Sequence, residues 1–222
     1  MSSEKSEYEP ILNYTIRKIE GWTIYVNRIL LNEKRKIGRE LLKLLRIKLY
    51  DIKRVVPKTA LKELYKVPIW LEFANKQVLC ACYHPSREWL SEHGFNPEKA
   101  KSIEIGNANN FINWSLHQPS MVLHELAHGY HHRVLGYDNP DIKLAYDKAV
   151  ESGLYKSVLY CNGDNLQAYA INNDQEYFAE QTEAYFGTND YYPFVKAELM
   201  KYDPLMYETL KKLWGDYEIK TG

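Results

Sequence analysis

His124 and His128 lie four residues apart in Met121-Val-Leu-His-Glu-Leu-Ala-His-Gly129, the segment of this chain best spaced for chemistry. On a helix, side chains at i and i+4 emerge on one face, one turn apart. Two imidazoles placed so can share one zinc ion, each nitrogen about 2.0–2.1 Å from it. Glu125, next to the first histidine, can then act as general base toward water activated by that ion. Val122, Leu123, Leu126 and Ala127 make the helix apolar, so it should be buried. Two histidines and a glutamate buried there without purpose would be costly.

A catalytic zinc usually has three protein ligands and one open position. The extended form of this motif, in which a glycine ends the helix and a third histidine follows, would need a glycine at position 131 and a histidine at position 134. His131 and Val134 occupy those positions, so that pattern is excluded. His131 and His132 follow on the helix, but three ligands from one straight helix cannot surround an ion; they read as exposed or capping residues. His84 and His117, in Tyr-His-Pro and Leu-His-Gln-Pro contexts, read as turn or strand-end histidines.

The remaining source is the acidic stretch Asp174-Gln-Glu-Tyr-Phe-Ala-Glu-Gln-Thr-Glu-Ala-Tyr-Phe186. Glu176 and Glu180 share one helical face, with Phe178, Thr182 and Tyr185 on another that can pack inward. In the metal reading Glu176 is the better ligand candidate. Glu180 would hydrogen-bond the second nitrogen of a ligating histidine and fix its tautomer. The alternative is a solvated acidic stripe ending in Glu183, and this stretch alone leaves both open.

The elements that must hold these residues follow from pattern. Tyr14–Ile19 and Trp22–Asn27 read as a hairpin about Glu20-Gly21. Asn32 is expected to cap a helix through Ile37, Leu41, Leu44, Leu45 and Leu49, whose basic residues between Lys34 and Arg54 form its solvated face. A short helix over Thr59–Lys66, strands in Pro68–Ala74 and Val78–Tyr83, and a short helix from Ser86 to Gly94 follow. Ile103 and Ile105 alternate with Glu104, which predicts a half-buried strand. Pro119 opens the histidine helix and Gly136 closes it. Helices are expected over Asp141–Ser152, from an Asp174 cap to Phe186, and in two pieces across Phe194–Trp214. Strands mostly precede the histidine helix and helices follow it. This order predicts an α+β protein, one domain over 1–222, with an N-terminal lobe over 11–136 and a helical lobe over 137–222 flanking a cleft. The polar residues 1–10 are expected to be loose.

The chain has 222 residues, 45% hydrophobic and 26% charged, with a net charge of zero. That balance gives no electrostatic case for nucleic acid or an anionic membrane. No apolar run reaches the roughly 18 residues of a membrane span. Cys80, Cys82 and Cys161 form no disulfide framework; Cys80 and Cys82 read as buried free thiols. With no apolar segment at the N-terminus, a cytoplasmic location is expected.

His124-Glu-Leu-Ala-His128, Glu176-Tyr-Phe-Ala-Glu180 and a tyrosine seven residues before Glu176, Tyr169, together resemble the gluzincin metallopeptidases. Within them, the likeness is to the group of the anthrax lethal factor catalytic domain and the proline-proline endopeptidases. It covers about residues 100 to 190. It implies a zincin-like fold, one catalytic zinc held by His124, His128 and Glu176, Glu125 as general base, and Tyr169 as hydroxyl partner of the oxyanion. It implies a peptide or protein substrate; such a peptide is expected to add as a strand to a sheet edge, for which Ile103–Gly106, with Asn107 and Asn109 in reach, is the candidate, the alternative being that this strand is interior. Aromatics such as Phe111, Trp114, Tyr177, Tyr191 and Tyr192 could build subsites. The competing expectation is a non-catalytic zinc-containing module of the same fold that binds peptides without cleaving them.

Overall fold

In the computed structural model, which describes residues 8–215, a mixed five-stranded sheet carries the first half of the chain. Most of the polar segment 1–10 lies outside the described residues. The elements in chain order are β1 (Tyr14–Ile19), β2 (Trp22–Asn27), α1 (Arg28–Asn32), α2 (Arg35–Val55), α3 (Lys58–Leu64), β3 (Ile69–Leu71), β4 (Ala81–His84), α4 (Arg87–Glu92), β5 (Ser102–Ile105) and α5 (Ala108–Trp114). They continue with α6 (Met121–Tyr130), α7 (Pro140–Ser152), the short pair β6 (Val158–Leu159) and β7 (Asn165–Leu166), α8 (Asp174–Phe186), α9 (Lys196–Tyr202) and α10 (Pro204–Trp214). The architecture is α+β. No helix among the described residues is long and apolar enough to cross a membrane.

Strand order is β1-β2-β3-β5-β4, with β1–β2 and β4–β5 antiparallel and the central pairs parallel. This corrects the expectation for residues 102–105. β5 is an interior strand, buried along its whole length, and β4 is the edge. Glu104 tolerates full burial because Lys99 Nζ donates at 2.6 Å, Asn75 at 2.7 Å and His84 Nε2 sits at 2.9 Å. Burial alone would raise its pKa, but His84 and Lys99 bring it down to about 2. His84 is thereby committed to Glu104, and His117 is exposed on the surface.

α2 buries Gly38, Leu41, Leu45, Leu49 and Ile52 against the sheet and turns its basic residues outward. Its N-terminus differs from expectation: Asn27 caps the short α1, and α2 starts after Lys34 without a side-chain cap. Leu126 and Ala127 of α6 join the same core as Leu45 and Ile105. Gly129 permits the close approach of α6 to β4. A Cβ there would lie 3.1 Å from Val67 Cγ2 and 3.3 Å from the Tyr83 ring. On its other side α6 meets α8, whose Thr182 Oγ1 accepts a hydrogen bond from the Trp214 indole at 3.2 Å. Trp214 stacks in turn on Tyr130 of α6, ring centroids 4.2 Å apart. α8 is therefore wedged between α6 and α10.

Candidate metal centre

The sheet edge and α8 flank α6, so its histidine face opens into a cleft of about 420 Å³ between them. His124 and His128 rise from α6 on successive turns, and Glu176 enters from the first turn of α8. Asn173, not Asp174, caps that turn, accepting from the N–H groups of Gln175 and Glu176 at 3.0 and 2.8 Å.

The three side chains close a triangle. The Nε2 atoms of His124 and His128 are 3.1 Å apart. Glu176 Oε2 lies 3.1 Å from the first and 3.3 Å from the second. Donors about 2.0–2.1 Å from one zinc ion, at tetrahedral angles, must be about 3.3 Å apart. The donor types and spacings therefore fit a zinc ion, with two imidazoles and one carboxylate as ligands. Burial works to raise the Glu176 pKa, but hydrogen bonds from both imidazoles hold it at about 2.

The second nitrogen of His124 is hydrogen-bonded, though not by the expected residue. Glu183 Oε1 sits 2.8 Å from His124 Nδ1, whereas Glu180 Oε1 is 3.9 Å away. Glu183 thus takes the place expected of Glu180, and the acidic face of α8 is buried rather than solvated. Its spacing from Glu176, seven residues or two turns, puts it on the same helical face, but spacing alone does not give it a buried partner. Glu180 Oε2 is buried without a hydrogen-bond partner among the described residues. Burial and the neighbouring Glu183 raise the Glu180 pKa well above the carboxylate range, and burial raises that of Glu183 to about 7. A carboxylate beside a ligating histidine fixes the proton on Nδ1 and leaves Nε2 as the donor. Glu183→Ala is expected to weaken zinc binding about 10–100-fold, read by competition against a chromogenic chelator. Glu180→Gln should leave that affinity nearly unchanged.

Glu125 points to the opposite wall. Its Oε2 accepts the Tyr83 N–H of β4 at 2.7 Å, and the side chain lines the cleft. Tyr169 lies on a short 3₁₀ turn just before α8, half exposed, and lines the same cleft. The charge of Glu176, then burial, raises its pKa, so the phenol stays protonated. Tyr137, which no motif in the sequence singles out, also lines the cleft; burial, then Glu176 and Glu125, raises its pKa to about 12.

Other expectations fare unevenly. His131 does stand at the C-cap of α6, its N–H donating to the Ala127 and His128 carbonyls, but it is not exposed; it is fully buried, on a π-helical turn, His131–Leu135, that continues α6. Trp114 and Tyr191 line the cleft, while Phe111 and Tyr177 are core residues and Tyr192 packs beside the core. Asn107 caps α5 by accepting from Asn110 N–H. Cys80 is buried, Cys82 half-buried and Cys161 exposed, all as free thiols. Comparison of the chain with protein-family models, curated proteins and solved structures finds no match.

Proposed function

We propose that this chain is a zinc-dependent peptidase of zincin-like fold. The observation that carries the reading is the triangle of His124, His128 and Glu176 at zinc-ligand spacing with Glu125 beside it. A pure binding module has no use for a base at that position, which favours hydrolysis over peptide capture alone. When bound, zinc supplies Lewis acidity that polarises a peptide carbonyl and lowers the pKa of water to about 7.

The chain's own groups do the rest. Glu125 is anchored through Oε2 by Tyr83 N–H, so Oε1 is free to take a proton from the attacking water and return it to the leaving amine. The Tyr169 hydroxyl donates to the oxyanion that develops on the attacked carbonyl. Glu183 keeps the His124 proton on Nδ1.

β4 offers the docking edge. Cys80 C=O accepts from Gly106 N–H and His84 C=O from Lys101 N–H, so the even-numbered residues face β5. By alternation Ala81 and Tyr83 point off the sheet. The Tyr83 N–H is taken by Glu125, which leaves the Ala81 N–H and C=O to pair with an extended peptide. Ala81→Pro removes one outward donor at an edge position where proline is tolerated. The KM is expected to rise about tenfold with kcat and melting temperature little changed, measured by steady-state kinetics and thermal unfolding.

Five acidic side chains line the cleft, Glu125, Glu176, Glu180, Glu183 and Asp190, with no lysine or arginine among the lining residues. Peptides with neutral or basic side chains suit that wall. The test is metal analysis of the purified chain together with mass-spectrometric profiling of a peptide library. Zinc bound in equimolar amount and cleavage at defined bonds are expected. A chain that takes up no zinc, or cleaves nothing when loaded, overturns the proposal.

A further inference from the structure

His131 and His132 follow the ligand pair in sequence and take no part in the donor triangle. The His131 ring is fully buried, and neither of its nitrogens has a hydrogen-bond partner among the described residues. His132 Nδ1 meets the Tyr83 hydroxyl at 2.9 Å. Both rings face the same side chain, Tyr137. His131 meets it edge-on with centroids 5.1 Å apart, and His132 stacks on it at 5.0 Å with planes 23° apart.

The backbone explains the arrangement. After Tyr130 the helix widens into the π turn His131–Leu135, a distortion that is rare and concentrated at functional sites. Gly136, at φ +78°, then redirects the chain, a conformation that side chains rarely adopt. Tyr137 comes back along the end of α6 and lines the cleft with Glu125, His128 and Glu176. Its ring is held by two imidazoles, while its hydroxyl makes no hydrogen bond to any described residue. A packing tyrosine needs the ring held but has no reason to bring a free phenol to the wall shared by the base and the ligand carboxylate. A donor fixed in advance loses little freedom when it binds.

We propose that Tyr137 is a substrate-contacting hydroxyl that donates to a peptide carbonyl in the cleft, and that His131 and His132 are positioning residues that fix its aim. The inference deepens the peptidase reading and rests on it. Through His132 and Tyr83 the mount is also tied to the docking edge β4, so the edge strand and the donor are held in one register.

Tyr137→Phe removes one oxygen and keeps the ring contacts. Relative to the unaltered chain, kcat/KM is expected to fall about tenfold. Affinity for a reduced-amide analogue of the best-cleaved peptide, measured by calorimetry, should fall by a similar factor. Zinc content and melting temperature should stay unchanged. His132→Ala keeps the hydroxyl but loosens its mount, so a smaller loss is expected. The double variant should be no worse than Tyr137→Phe, because His132 acts through Tyr137. Wild-type kinetics and analogue affinity in Tyr137→Phe would overturn the assignment of the donor. Additive losses in the double variant would overturn the positioning role. If the unaltered chain neither binds nor cleaves peptide, that is the separate failure of the peptidase reading, and this inference falls with it.

Discussion

Glu125→Gln should lower kcat on any cleaved peptide by about 10³–10⁴-fold while leaving the fold and the metal in place. The substitution is close to isosteric. A glutamine Oε1 still accepts the Tyr83 N–H that Glu125 accepts at 2.7 Å, so the link between α6 and the edge strand survives. What disappears is the proton acceptor. The neighbouring carboxylates do not replace it. Glu176 is engaged by both imidazoles, and Glu183 is directed at His124 Nδ1 on the far side of the ring. Glu180 is buried, with one oxygen that meets no hydrogen-bond partner among the described residues. The measurement is single-turnover cleavage on protein with matched zinc content and melting temperature. Activity within tenfold of the unaltered chain would remove Glu125 from the mechanism, and with it the hydrolytic reading of the cleft.

Glu125 also shows which parts of the site are legible in a sequence. His124, Glu125 and His128 lie on one helix, where spacing alone sets relative position, so their convergence can be read from residues 121–129. Glu176 is harder, because its distance from the histidines depends on how α8 packs against α6. The face of Phe178, Thr182 and Tyr185 is one that can pack inward, and all three are buried, but the same stretch also reads as a solvated acidic stripe. Glu183 escapes a sequence reading because burying a carboxylate is costly unless it is paired. Its partner, the His124 ring, is a tertiary contact across 59 positions. The same logic hides the sheet edge. Glu104 alternates with two isoleucines and therefore looks half solvated, yet Lys99, Asn75 and His84 satisfy it in the interior. Strand order is a property of the whole fold, and alternation along one strand does not encode it. The π turn at His131 leaves no periodic signature, so Tyr137 cannot be placed at the cleft from its neighbours.

Stripping the metal should cost the protein about 8–16 °C of melting temperature without unfolding it at room temperature. An ion that binds only the folded chain, at a free concentration about a thousand times its Kd, adds about 4.1 kcal/mol. For a chain of this size each kcal/mol is worth roughly 2–4 °C. The increment is expected to be large because the proposed ligands come from two helices, α6 and α8, so the site is complete only while those helices stay packed. The core explains why the stripped chain should still fold. Leu126, Ala127, Phe178 and Trp214 are buried around the α6–α8 contact, and Glu176 still pairs directly with His124 at 3.1 Å. The increment should shrink as pH falls, because protons compete with the ion for the same imidazole nitrogens. Differential scanning calorimetry before and after dialysis against a chelator measures it, with readdition of zinc as the reversal. His128→Ala is the control. It removes a ligand, so its melting temperature should lie near that of the stripped protein and respond little to chelator. If the unaltered chain melts at the same temperature with and without chelator while zinc is shown to be bound beforehand, the ion sits elsewhere on the surface, and the triangle of His124, His128 and Glu176 is a hydrogen-bonded cluster with no metal role.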